Sequence, residues 1–341
     1  MLNIQRNVPL GKYTTLQVGG PAAYFVEVKT EKELDEAVGF ATEKDLQITI
    51  LGGGSNVLVS DDGLSGMVIR VAITEGPTEE VVSDDEVLLS AGAGVEFDKL
   101  VSWATENGLW GLENLSHIPG SVGATPVQNV GAYGVEVKDV IESVRVYSIT
   151  DRRFRVLTNT ECSFGYRDSY FKHKEGSQLI ITSVTYRLSH KPKPVLSYKD
   201  LQGRFADDAV IPSDIRQAVI EIRAQKFPNW HEVGTAGSFF KNPIIDKDKF
   251  TSLQEQYPNM PHFEVNEQQV KVPLGWVLDK VLHLKGEGTE RVKQYEGQAL
   301  VLINKGDATA TEIVDHAEHI ADLVLEKLGV QVEWEVTRLG F

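Results

Sequence analysis

The chain is poor in sulfur. Cys162 is its one cysteine among 341 residues, so no disulfide framework, CxxC redox pair or thiolate-rich zinc site can form within it. A single cysteine of this kind reads as a small buried apolar side chain. Long apolar runs are also missing, and nothing approaches the ~20 residues of a membrane span. Met1 to Thr15 is polar, is broken by Pro9 and Gly11, and lacks the apolar stretch of a secretory leader. Positive charge is scarce: 34 Lys and Arg stand against 49 Asp and Glu, for a net charge of -15. A phosphate backbone needs clustered cations, so nucleic acid is excluded as the main partner. A small phosphorylated ligand is still allowed, because it needs only a few local donors.

The remainder is ordinary. With 41% hydrophobic and 24% charged residues, the composition is that of a globular protein, and the length allows two or three domains. The expectation is a soluble cytoplasmic monomer with no metal, no membrane and no nucleic-acid partner.

Strand and helix patterns alternate along the chain. Thr30-Glu31-Lys32-Glu33 fits a capping box, followed by Leu34, Ala37, Val38 and Ala41 at helical spacing. Phe97, Leu100, Val101 and Ala104 mark a second helix ending at Gly108, and Pro212-Ser213 starts a third. Strand-like runs cover 140–149, 154–157 and 179–188. A long helix from Ala310 to Leu328 is capped by Thr309 and Glu312 and closed by Gly329. After it, Val330, Val332, Trp334 and Val336 alternate with Gln331, Glu333, Glu335 and Thr337, which predicts a last strand with Glu335 on its polar side.

Two glycine-rich stretches interrupt this pattern. In the first, the β run Ile48 to Leu51 empties into Gly52-Gly53-Gly54-Ser55-Asn56. A loop with so few side chains lets backbone N–H groups reach a pyrophosphate, although a Gly triplet is also the makings of a plain flexible turn. The second holds Gly111-Leu112-Glu113-Asn114-Leu115, then Ile118-Pro119-Gly120-Ser121-Val122-Gly123, then Gln128-Asn129-Val130-Gly131-Ala132-Tyr133-Gly134. A stretch this long without a clean period is either functional or a structural loop, and two such loops in one chain favour a cofactor. It is not a Rossmann site: after Gly92-Ala93-Gly94, Phe97 occupies the place of the third glycine, and no Walker sequence occurs.

These blocks carry a resemblance. Together with Thr14-Thr15-Leu16 and Gly19-Gly20-Pro21-Ala22, they resemble the FAD-binding domain of the UDP-N-acetylenolpyruvoylglucosamine reductases, a flavin fold of the vanillyl-alcohol-oxidase (PCMH) type. Phe164-Gly165-Tyr166-Arg167-Asp168-Ser169, Gly234 to Pro243, and Gln298 to Asn304 resemble further blocks of that family, in order from about Tyr13 to Gly340. The short loop around Tyr198 is similar to that of the first of its two types.

The resemblance implies an α+β protein with a two-part FAD-binding domain and a smaller α+β substrate-binding domain. The parts expected are 1–72, 73–212 joined by a returning C-terminal strand at 328–341, and 213–327 for substrate. It implies reduction of UDP-N-acetylglucosamine enolpyruvate to UDP-N-acetylmuramate, with NADPH as the hydride donor to FAD. Cofactor contacts then fall to Gly52, Gly53, Gly54, Ser55, Asn56, Ile118, Pro119, Gly120, Ser121, Gly123, Gln128, Asn129 and Gly131. Arg167, Ser238 and Glu335 become the catalytic group: a cation for the developing carboxylate charge, a proton donor, and an acid that steadies the enol. Tyr133, Tyr198, Lys226, Asn242 and Gln298 become substrate contacts. Each also has a plain reading, with Arg167 ion-paired to Asp168, Ser238 in a turn, and Glu335 in solvent.

The family reads Glu-Val-Arg at the last strand, where this chain has Glu335-Val336-Thr337-Arg338; alternation puts Thr337 on the arginine's face and turns Arg338 away, so either a bulge restores the cation or another residue supplies it. Two other functions fit the same motifs: an oxidase on this flavin fold, and a nucleotide-sugar sensor without flavin.

Overall fold

The computed structural model describes residues 2–205 and 210–341. They form two compact units: Met1–Val8, Ala22–Gly54 and Ser65–Arg223 in the first, Pro9–Pro21, Ser55–Leu64 and Ala224–Phe341 in the second.

The first unit has two large sheets with a shared core, and a two-stranded ladder of Gly131–Ala132 with Val135–Glu136. Strands Arg153–Thr158, Ile141–Ser148, Leu179–Ser189, Glu86–Gly92 and Thr78–Val81 lie side by side in that order, antiparallel throughout. Helix α1 (Glu31–Glu43) covers its apolar face with Leu34, Ala37, Val38 and Ala41, all fully buried. Burial of this extent stabilises by about 1.5–3 kcal/mol for each large aliphatic side chain. The Thr30 hydroxyl caps α1 by accepting from Glu33 N at 3.1 Å. The Glu33 carboxylate reaches back one residue further than a reciprocal box requires, to Lys29 N at 2.6 Å.

The other sheet runs Gln5–Pro9, Pro21–Val28, Leu64–Val71, Ile48–Leu51. Ile48–Leu51 is parallel to its neighbour, with Ile48 opposite Met67. Gly52 to Gly54 therefore leave from the carboxyl end of a parallel strand, the edge at which open α/β sheets collect ligands. Helices α2 (Phe97–Glu106) and α3 (Pro212–Lys226) follow the predicted patterns, and Gly108 takes φ 72° just beyond α2.

In the second unit, Gly234–Ser238, Val301–Asn304 and Val292–Gln294 form an antiparallel sheet, and Ile244–Asp246, Gln269–Lys271 and Phe263–Glu264 another. Helices α4 (Lys247–Gln256), α5 (Leu274–Lys280) and α6 (Ala310–Leu328) accompany them. In α6, Thr309 and Glu312 form the reciprocal box, Gly329 turns left-handed at φ 62°, and Ile313, Ala317, Ile320 and Val324 bury one stripe.

Most of α3 belongs with the first unit, and the division between the two units falls after Arg223. The C-terminal strand, Thr337–Leu339, pairs in parallel with Val57–Val59. Burial alternates from Val330 to Glu333, Trp334 and Glu335 are both half-buried, and the ladder begins only at Thr337. A period of two specifies extended chain with one buried face; a ladder also needs a partner strand, which sequence alternation does not supply.

Candidate active site

In the first unit, the two glycine-rich loops meet backbone to backbone. A Cβ on Gly53 would lie 2.7 Å from Gly120 Cα, and one on Gly52 would lie 2.8 Å from Ser121 Oγ. Only glycine permits this approach. Ser121 is buried, and its hydroxyl has no hydrogen-bond partner among the described residues. A side-chain-free cradle beside an unmet hydroxyl donor is what an anionic, many-acceptor cofactor requires, so these residues fit FAD. Gly123 is held as closely, with a Cβ there meeting Ala93 Cβ at 2.5 Å. Ile118, Pro119, Gly120, Gln128 and Gly131 are all half-buried along the same stretch.

The amides of two residues expected on the cofactor bind protein groups. Asn129 is fully buried; its amide donates to Glu136 Oε2 at 3.1 Å and Gly165 O at 2.9 Å, and its oxygen accepts from Lys138 N. Both donors of that side chain are therefore used inside the protein, which shapes the loop. Ser55 and Asn56 belong to the second unit. There Asn56 Nδ2 donates to Glu335 O at 3.0 Å, and Asn56 O accepts from Thr337 N at 3.0 Å.

His117 precedes the Ile118 loop in a left-handed conformation, φ 59°. Its peptide is gripped from both sides: Asp98 Oδ1 accepts its N–H at 2.5 Å, and Arg223 Nε donates to its carbonyl at 2.9 Å. Asp98 also binds Arg216 through both carboxylate oxygens, at 2.5 and 3.0 Å. Burial works against the Asp98 charge, but the Arg216 guanidinium and the His117 N–H outweigh it and hold the carboxyl below its usual pKa. Arg223 is itself buried and hydrogen-bonded to the Tyr133 phenol, whose pKa burial pushes up to about 12. Sequence reading missed Asp98, Arg216 and Arg223. Asp98 looks like an ordinary acid in the first turn of a helix, and nothing nearby in sequence marks its partners.

Tyr133 and Tyr198 meet edge to face, with centroids 5.2 Å apart. Arg167, Asn129 and Tyr133 take φ 53°, 45° and 50°. Non-glycine residues in this region each carry roughly 1–3 kcal/mol of strain, held by the surrounding structure, and such strain gathers at functional sites. Arg167 Nη2 donates to Gly131 O at 2.9 Å, which ties it to the second glycine-rich loop. The Asp168 carboxylate lies 3.0 Å from His173 Nε2.

In the second unit, a register shift between Thr235 and Ser238 bulges the strand, with Gly237 at φ 73° inside it. A bulge re-aims the next side chain, here Ser238. Beyond it, Phe239 O accepts from Glu335 N at 2.9 Å. Phe239 and Phe240 are buried and pack edge to face on Trp334, at 4.9 and 6.1 Å between centroids. Ser238 and Glu335 thus flank one aromatic clasp, both half-buried.

Asn242 Oδ1 accepts from Leu274 N at 2.9 Å, and a Cβ on Gly275 would meet Gln298 Oε1 at 2.6 Å, so both side chains lie at the start of α5. Lys226 is half-buried at the end of α3. Arg338 lies over the Trp334 ring at 4.9 Å and is 3.9 Å from Glu318, while Thr337 is exposed. Among the described residues, no group of His, Cys, Asp and Glu could hold a metal ion.

Comparison with known proteins gives the geometry its class. The family model for an FAD binding domain matches residues 22–153, which hold both loops of the cradle. The chain is a flavin-dependent oxidoreductase. A second model, that of the UDP-N-acetylenolpyruvoylglucosamine reductase C-terminal domain, matches residues 228–339. UDP-N-acetylenolpyruvoylglucosamine reductases from Flavobacterium johnsoniae and Bdellovibrio bacteriovorus are 38% and 39% identical, over 98% and 99% of this chain and 99% and 100% of theirs. The one from Pseudomonas aeruginosa is 37% identical over 98% of each chain. The crystal structure of UDP-N-acetylenolpyruvylglucosamine reductase from Thermus caldophilus matches with a TM-score of 0.70 at 27% identity, covering 99% of this chain and 100% of that one. The chain belongs to the UDP-N-acetylenolpyruvoylglucosamine reductase family.

Proposed function

We propose that the chain reduces the enolpyruvyl vinyl ether of UDP-N-acetylglucosamine enolpyruvate to the lactyl ether of UDP-N-acetylmuramate, with the first unit holding FAD and Arg167, Ser238 and Glu335 acting on the substrate. Gly52, Gly53, Gly120 and Ser121 would hold FAD with backbone N–H groups and the Ser121 hydroxyl, and the bound cofactor would supply the hydride chemistry between NADPH and the substrate's methylene carbon. The electron pair that develops on the neighbouring carbon spreads onto its carboxylate, and the Arg167 guanidinium, always charged, neutralises it. Glu335 steadies the enol form. Ser238 gives its hydroxyl proton to that carbon, which completes the addition across the double bond. A serine is a weak acid, but the carbon it protonates is strongly basic.

The observation that carries this reading is the clasp in the second unit. The bulge at Gly237 and the Phe239–Glu335 backbone bond bring two residues 97 positions apart in sequence to one edge, with a hydroxyl and a carboxyl on either side of buried aromatics. Lys226, Asn242, Gln298, Tyr133 and Tyr198 are assigned to the nucleotide-sugar, with Tyr198 on a closing loop as in the first type of the family. The reading includes a monomer acting in the cytoplasm.

Anaerobic spectroscopy tests it. The purified protein should be yellow, NADPH should bleach it, and the enolpyruvyl nucleotide-sugar should restore the colour without oxygen. Ser238→Ala should keep the bleaching and slow the recovery by about 10²–10⁴-fold, the size of a lost general acid. Recovery at the wild-type rate would remove Ser238 from the role.

A further inference from the structure

We propose that Asn114 is a positioning residue for the substrate, its buried amide tying the Tyr133 turn to the segment that carries Tyr198. The inference rests on the assignment of those two tyrosines to the nucleotide-sugar. Asn114 is fully buried, in a short turn whose start is fixed by Glu113, whose carboxylate accepts from Gly111 N at 2.6 Å. Its Nδ2 donates to Tyr133 O at 2.8 Å and to Val195 O at 2.9 Å, groups 19 and 81 residues away. Both partners are carbonyls, which only accept, so chemistry alone requires the amide nitrogen to face them.

The two segments joined in this way are in direct contact. A Cβ on Gly134 would sit 3.4 Å from Val195 Cγ1 and 3.7 Å from Ser197 Oγ, and the tyrosine rings meet at 79°. Tyr133 is held in its left-handed conformation at the residue whose carbonyl Asn114 binds. Asn114 Oδ1, meanwhile, is buried without a hydrogen-bond partner among the described residues. An apolar side chain would avoid that penalty, so what the position needs is the pair of donors. A side chain that cannot donate to both carbonyls releases one segment from the other, and the tyrosines lose their common register.

Kinetics on the flavin-loaded enzyme separate this from a general structural role. Asn114→Asp keeps the shape and removes both donors; Asn114→Ala removes the group. Both should raise KM for the nucleotide-sugar about tenfold, the equivalent of one well-placed hydrogen bond. Flavin content and bleaching at saturating NADPH should stay within about twofold of wild type. In Asn114→Asp the carboxyl is buried against carbonyls, which raises its pKa, and its protonated form donates one bond. The KM defect of that variant should therefore shrink as pH falls from about 8 to about 6, while that of Asn114→Ala should not. Unchanged KM in both variants, or bleaching and recovery lost in equal proportion, would overturn the inference. Tyr198→Ala distinguishes the two failures: if it leaves KM unchanged, the tyrosine assignment is wrong; if it raises KM while the Asn114 variants do not, only the tie is wrong.

Discussion

Replacing Asp98 by alanine should destabilise the first unit well beyond the usual effect of removing an ion pair. The side chains of Arg216 and Asp98 are only 15% and 18% exposed, and the two make a bidentate contact. Removing one partner of a buried pair costs about 3–5 kcal/mol, because the other charge is left without compensation. Partial solvent access puts Asp98→Ala near the low end, about 3 kcal/mol, or a Tm lower by about 6–12 °C for a unit of this size. The internal control is Lys99→Ala. Lys99 pairs with Glu96 on the surface, at 78% and 47% exposure, and its loss should stay within about 0.5 kcal/mol.

The pH dependence gives a second check on Asp98. Its folded pKa is depressed. It therefore stabilises the fold above its unfolded value of about 3.9 and loses that contribution as pH falls through the folded one. In urea titrations, the gap between wild type and Asp98→Ala should be full at pH 7 and narrow below about pH 4. The same carboxylate also holds the left-handed His117 at the head of the cofactor loop, so the variant should retain FAD less tightly. A loss under about 1 kcal/mol at neutral pH, or a gap indifferent to acid, would refute the account.

Three further outcomes follow from single contacts. Gly53→Ala places a Cβ 2.7 Å from Gly120 Cα; the protein should purify almost free of flavin, read as visible absorbance relative to protein, and a full complement would show that the loops do not form the cradle. Gly237→Ala meets open space but keeps φ 73°, so thermal unfolding should register about 1 kcal/mol of strain with flavin content unchanged. Glu335→Gln should leave NADPH bleaching intact and slow recovery by the nucleotide-sugar; stopped-flow recovery as fast as wild type would leave Glu335 a half-buried residue without a catalytic role.

What the sequence announces here is what is decided locally. Thr30 and Thr309 cap the helices they precede, and Gly329 closes α6, because a cap is satisfied within three or four residues and its chemistry sits in adjacent letters. The glycine blocks were legible for a related reason: a loop without side chains can be read as a place where something approaches the backbone, whatever it is. The strand after α6 was legible only by half. Its alternation correctly gave a buried face, but pairing is a non-local event, and the ladder started at Thr337 against Val57 rather than at Val330.

The residues that hold the site in shape left no such trace. Asp98 acts on His117 across 19 positions and on Arg216 across 118, and Asn114 acts on Val195 across 81. Asn129 and Asn56 stand inside the glycine-rich motifs, and their amides bind Gly165 and Glu335. An amide in a glycine-rich loop has two possible clients, the ligand and the loop itself, and spacing along the chain cannot say which. Burial can. Asn129 and Asn114 are closed off from solvent with both donors spent on protein, whereas the buried Ser121 hydroxyl has no acceptor among the described residues. The Ser121 hydroxyl thus keeps its donor available to a ligand, while the Asn129 amide, with both donors spent, is part of the frame that shapes the loop.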